Sequence, residues 1–168
     1  MGMDRNRRLV NYSLLALTGT GVYFTVGTMF KSLEPPKKAL LDAATFIDTS
    51  ALPLNEISYF TWQKKPLFIL KKDASMTLDQ KRDVQIGEYY YTIMVGICTH
   101  LGCIPKYYAD KKRFICPCHN GQFDHNGNAL ASPVSKPLVI PPFAIRSETI
   151  IVGEVGEAYL KLMEASKA

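Results

Sequence analysis

The pattern of apolar and polar positions splits the chain in two. No charged residue occurs in the 22 positions from 9 to 30. As a helix this run would extend roughly 33 Å, enough for a bilayer core, so residues 9–30 predict a transmembrane anchor behind a basic N-terminus at 1–8. Glu34, Pro35, Pro36, Lys37 and Lys38 break that helix, and residues 31–44 read as a tether. From Thr45 the pattern changes to short β-branched and aromatic runs with turn residues between them, as an all-β fold requires. Strands are expected at 46–47, 57–62, 66–70, 89–97 and 147–152. A charged hairpin is expected at 107–114, with Asp110, Lys111 and Lys112 at its tip. The polar stretch 74–83 reads as an insertion for which a helix is the candidate conformation. At the end of the chain, Val155, Tyr159 and Leu162 fall on one face of a short amphipathic helix within 154–168, supported by the Glu157/Lys161 pair.

Charge sharpens the division. The net charge of +5 is unevenly spread. Residues 1–38 hold six Lys/Arg against two acids, and residues 39–168 hold fourteen against thirteen. The excess flanks the apolar run, which points to a membrane surface and away from a nucleic-acid partner. Arg5, Arg7 and Arg8 precede the helix and Lys31, Lys37 and Lys38 follow it, so the positive-inside rule is nearly tied. Arg7-Arg8 before Leu9-Val10 is a loose twin-arginine export pattern. A cleaved signal peptide is the alternative to an uncleaved anchor, but the run is long for one and no small-x-small cleavage site follows.

Candidate chemistry is confined to one stretch. All four cysteines and two of the three histidines lie within residues 98–123. The first box reads Cys98-Thr99-His100-Leu101-Gly102-Cys103. After twelve residues the second reads Cys116-Pro117-Cys118-His119-Asn120-Gly121-Gln122-Phe123. Each box offers thiolate and imidazole, so one Cys and one His from each could converge on a metal centre that needs both. Cys103 and Cys118 would then stand at equivalent places in two turns, with Gly102 and Gly121 supplying the positive φ. A structural Cys2His2 zinc site is the rival for the same ligands, although it leaves two cysteines without a role. His125, in the polar turn with Asn126, Gly127 and Asn128, reads as an exposed loop residue.

The two boxes resemble those of the Rieske iron–sulfur proteins, which hold a 2Fe-2S cluster by two cysteines on one iron and two histidines on the other. The resemblance implies Cys98 and Cys116 as ligands of the inner iron, His100 and His119 as ligands of the outer iron, and Cys103–Cys118 as a disulfide. The cluster's surroundings would be Leu101, Gly102, Gly121, Gln122, Phe123 and Pro133. The implied fold is an all-β Rieske domain of antiparallel sheets over 45–153, with a cluster-binding subdomain at about 96–137. Residues 132–137 match the proline loop that covers the cluster, in altered form, and the 62–69 hairpin resembles one in cytochrome bc-type heads.

Mixed ligation suits a high potential. Two thiolates bring an oxidised diferric core to zero charge where four would leave −2, so the potential rises to roughly −150 to +300 mV, against about −400 mV for plant-type ferredoxins. The implied function is the electron-transfer subunit of a membrane quinol–cytochrome c reductase. Its partners would be a cytochrome b subunit, a c-type cytochrome and quinol, in a dimeric complex, with His119 facing the quinol oxygen. The implied disulfide needs an oxidising compartment, which places the head on the outer side of a bacterial cytoplasmic membrane. High-potential members carry a Ser and a Tyr where this chain has Gly121 and Phe123. Losing those hydroxyl donors implies a low-potential centre suited to menaquinol. Two other readings remain. One is a Rieske ferredoxin or oxygenase component, against which only His125 is left for a second iron. The other is the small subunit of a periplasmic oxidase of the arsenite oxidase type.

Overall fold

The structure, a computed structural model, describes residues 2–32 and 44–166. Residues 33–43, most of the expected tether, lie outside the described residues. Among the described residues one helix, α1 (Gly2–Ser32), is long and apolar enough to cross a membrane. Its Ser and Thr hydroxyls are satisfied from within. The hydroxyls of Thr18, Thr20, Thr25 and Thr28 donate to the carbonyls of Leu14, Ala16, Gly21 and Phe24, one turn back. A hydroxyl bonded in this way needs no water inside a bilayer.

The second unit is the head, and its strands form three antiparallel sheets. β1 (Thr45–Asp48), β11 (Thr149–Val152) and β10 (Phe143–Arg146) make the first, in the order β1-β11-β10. β2 (Ile57–Trp62), β3 (Lys65–Lys72), β5 (Tyr89–Val95) and β4 (Asp83–Ile86) make the second, in the order β2-β3-β5-β4. β6 (Lys106–Tyr108), β7 (Arg113–Ile115), β8 (Gln122–Asp124) and β9 (Ala129–Ala131) make the third, a meander. The all-β expectation therefore holds. A last helix, α2 (Glu157–Ala165), packs Tyr159 edge-on to Phe143 and buries Leu162.

The central strands of the middle sheet, β3 and β5, are buried on both faces, to which successive residues point alternately. Leu67, Ile69, Ile93 and Val95 join Ile47, Phe143, Ile150, Val152 and Trp62 in a base core. Phe68 and Met94, paired across β3 and β5, face the other way into a second core with Phe114, Phe123, Val134, Leu138, Cys98 and Cys116. The apolar runs of β3 and β5 are continuous for this reason. The second core is where the candidate ligands lie. Gly96 has no room for a side chain, since a Cβ there would sit 2.2 Å from the Phe68 ring.

Three expectations are corrected. Residues 74–83 form no helix. Asp73 accepts from the Ser75 amide and hydroxyl, and Asp79 from the Lys81 amide. Such short side-chain bonds compete with helical hydrogen bonding and favour turns. The C-terminal helix starts two residues beyond Val155, which is exposed and contributes to no helix face. His125 is half-buried rather than exposed, with Nε2 3.1 Å from the Thr77 carbonyl oxygen.

The β2–β3 hairpin turns on Gln63 and Lys64, both left-handed at φ 49° and 62°. Two-residue turns of this hand suit Asn-Gly, since a non-glycine residue there is penalised by roughly 1–2 kcal/mol. Gln63→Asn with Lys64→Gly is expected to stabilise the head by about 1 kcal/mol in thermal or urea denaturation. An unchanged or lowered midpoint would contradict this.

Candidate metal centre

The two boxes fold into loops that share a backbone plan. Cys98 donates its amide to the Cys103 carbonyl at 2.7 Å and accepts from the Gly102 amide at 3.0 Å. Cys116 donates to the Gly121 carbonyl at 2.8 Å and accepts from the Asn120 amide at 3.0 Å. In each loop the residue four beyond the first cysteine is left-handed, Gly102 at φ 84° and Asn120 at φ 57°. Gly102 thus does what its type suggested, whereas in the second loop Asn120 takes that role. Asn tolerates this conformation because its short polar side chain bonds locally.

Gly121 is needed for space instead. A Cβ at this position would lie 2.8 Å from Cγ1 of Val134 and 3.7 Å from the Cys98 sulfur. The shared plan also shows that Cys103 and Cys118 are not at equivalent places. Cys103 is five residues past the first cysteine of its loop and Cys118 only two past its own. They are nonetheless joined by a disulfide across the loops.

Cys98 and Cys116 keep free thiols and are buried. Burial pushes the Cys98 thiol up, and the neighbouring Cys116 sulfur adds to the shift. The Cys116 sulfur lies within 4.8 Å of both disulfide sulfurs, but those are covalently paired and offer no thiolate. His100 and His119 are exposed, with ring centroids 4.9 Å apart and planes at 90°. Thiols inside and imidazoles outside, carried on two cross-linked loops, are a donor set that fits a two-iron group with one soft-ligated and one nitrogen-ligated metal. A zinc ion also accepts Cys2His2, but a single small ion makes no use of this separation of donors by depth.

The surroundings close over the thiols and leave the imidazoles open. The Thr99 hydroxyl donates to the Lys136 carbonyl at 2.7 Å, tying the first loop to residues 132–137. Within that segment Pro133 is half-buried and Val134 packs against Gly121 and the Cys98 side. Leu101 is 70% exposed beside His100, and Ile104 is also exposed. Gln122 accepts from Arg113 Nη1 at 3.0 Å through Oε1. Phe123 is fully buried in the core that holds both free thiols.

Two buried thiols, two exposed imidazoles and a bridging disulfide on paired loops define an iron–sulfur domain of mixed ligation. The family whose sequence pattern matches residues 46–144 is the Rieske 2Fe-2S domain, and the chain belongs to it. Among curated relatives, the "Ubiquinol-cytochrome c reductase iron-sulfur subunit" of Rickettsia typhi is 29% identical over 88% of this chain and 95% of that protein. The "Cytochrome b-c1 complex subunit Rieske, mitochondrial" of Saccharomyces cerevisiae is 31% identical over 82% of this chain and 70% of its own length. A solved structure described as "Hyperthermophilic respiratory Complex III" aligns with a TM-score of 0.56 at 29% identity, covering 81% of this chain and 97% of that one.

Proposed function

We propose that this chain is the iron–sulfur electron-transfer subunit of a membrane quinol–cytochrome c reductase. Cys98 and Cys116 would hold the inner iron of a 2Fe-2S cluster, and His100 and His119 the outer. The observation that carries this reading is the paired, exposed imidazoles above a buried thiol pair. A cluster bound there supplies a one-electron acceptor whose potential is raised by neutral nitrogen ligands. The chain does the rest. The apolar second core keeps water from the thiolates, and the disulfide and the Thr99 bond hold the loops in place. His119, exposed at the surface, would present a ring nitrogen to the quinol oxygen. An imidazole held to a metal through one ring nitrogen keeps the other as a proton acceptor, so His119 would take the proton that the quinol releases.

A cytochrome b subunit and a c-type cytochrome are the partners, in a dimeric complex. The names and coverages of the relatives support this, since the similarity to the Rickettsia protein takes in 88% of this chain, more than the head alone could supply. The anchor is α1, and the head stands on the oxidising, outer side of a bacterial cytoplasmic membrane, where the disulfide persists. Gly121 and Phe123 favour a low potential and therefore menaquinol.

EPR-monitored redox titration of membranes containing the full chain tests this. A reduced 2Fe-2S signal of mixed Cys/His type is expected, copurifying with a haem-b membrane protein. Zinc without iron at the site, or copurification with a soluble oxidase in place of haem b, would overturn the assignment.

A further inference from the structure

Lys72 is a lysine with no solvent exposure at all, and the site described above makes no use of it. It follows Phe68 and Leu70 at alternate positions along β3, and so faces the lobe that bears the ligand loops. Its ammonium donates to Asp83, to Asn126 Oδ1 at 2.6 Å and to the Thr77 carbonyl at 3.5 Å. Arg82, 5% exposed, donates through Nε to the Asn126 carbonyl and through Nη2 to the Leu138 carbonyl at 2.6 Å.

Asp83 is fully engaged. It also accepts from the Thr92 hydroxyl at 2.6 Å and the Asp79 amide at 2.7 Å. Asn128 Nδ2 adds a bond to Asp79 Oδ2 at 2.8 Å. Lys72, Asp79, Arg82, Asp83 and Thr92 belong to the base, and Asn126, Asn128 and Leu138 belong to the lobe. Two cations and three carboxylates, counting Asp124 beside Asn128, are thus gathered at one end of the joint. At the other end Phe68 stacks flat on Phe114, with ring centroids 5.4 Å apart.

These two attachments differ in kind. Stacked apolar surface tolerates sliding and rotation, because dispersion and hydrophobic burial have no strong direction. Hydrogen bonds to two specific carbonyls and one amide oxygen permit a single register. A buried ionic network is also a poor stabiliser, since desolvation offsets most of the attraction and an apolar replacement is often as stable. Orientation is what remains for it to supply.

We propose that Lys72 and Arg82 are positioning residues, which fix the angle at which the loop-bearing lobe sits on the base sheet and so aim His119 at the quinol. This rests on the reductase reading, in which reaction depends on placing an imidazole within hydrogen-bond reach of a substrate oxygen. A misplacement of about 1 Å can cost on the order of 100-fold in rate.

The test uses the assembled complex with two variants. Lys72→Met/Asp83→Leu removes the buried pair, and Arg82→Lys keeps the charge but cannot bond both lobe carbonyls. Iron per chain, midpoint potential, quinol kcat, KM for cytochrome c, and hydrogen exchange over residues 124–138 are measured for each. The expected result is faster exchange in that segment and kcat per loaded cluster lower by roughly tenfold, with KM for cytochrome c and the potential unchanged.

Unchanged exchange, or unchanged kcat per cluster despite faster exchange, overturns the proposal. A fall in activity that only tracks lost iron does so too, as does Arg82→Lys failing to hold iron, since the network would then be a folding requirement. Absence of quinol oxidation in the unaltered complex would sink the reductase reading and the aiming role with it, a failure distinct from altered variants of an active complex.

Discussion

The Cys103→Ala/Cys118→Ala double variant is expected to lose about 3 kcal/mol of stability and most of its iron. The disulfide closes a loop with a sequence separation of 15, and on chain-entropy grounds a loop of that size is worth roughly 3 kcal/mol. The loss falls where it matters most. The two loops otherwise meet only through the apolar contacts around Cys98, Cys116 and Val134, among the described residues. Without the cross-link the thiol pair and the imidazole pair no longer face a common point. Iron content and thermal midpoint should fall together, and a variant that keeps both would show that the loops are held by packing alone.

Phe123→Tyr should raise the midpoint potential by roughly 60–130 mV. A hydroxyl donating to a charged acceptor is worth about 1.5–3 kcal/mol, and 59 mV corresponds to about a tenfold change for one electron. The sign follows from charge. The reduced cluster is the more negative state and gains more from a donor, so adding one favours reduction. Phe123 is fully buried beside the free thiols, where a hydroxyl has no water to bond instead. The companion change Gly121→Ser is a poorer experiment, because its Cβ would meet Val134 at 2.8 Å and displace the covering segment. EPR redox titration of Phe123→Tyr decides the matter, and an unchanged or lower potential would remove the argument for menaquinol.

The chemistry was more legible in the sequence than the architecture around it. Thiols and imidazoles are rare and were gathered in 26 positions, so the boxes stood out whatever their geometry. The long strands β3 and β5 were equally plain, because burial on both faces makes their apolar runs continuous. β8 and β9 escaped because they are three residues long, and the alternation of a strand cannot show in so few. β10 escaped because Pro141 and Pro142 precede it and it reads as the end of a loop. Residues 74–83 were opaque for another reason. Their polar side chains are satisfied by partners 44 to 56 residues away, as with Arg82, and by short turns that mimic helical composition. Asn120 could have been suspected, since Asn accepts a left-handed backbone. Gly121 beside it is the commoner residue for such a turn, and here it is required for space instead.

The sheet order also fixes a sequence of events during synthesis. β1 has β11 as its partner, pairing Thr45 with Val152 across most of the head. The meander β6–β9 finds its partners within 106–131. A growing polypeptide can therefore complete the loop-bearing lobe while its foundation still lacks a final strand. A chain halted before residue 149 would hold every residue of the core around the two free thiols and still lack the strand that pairs with β1.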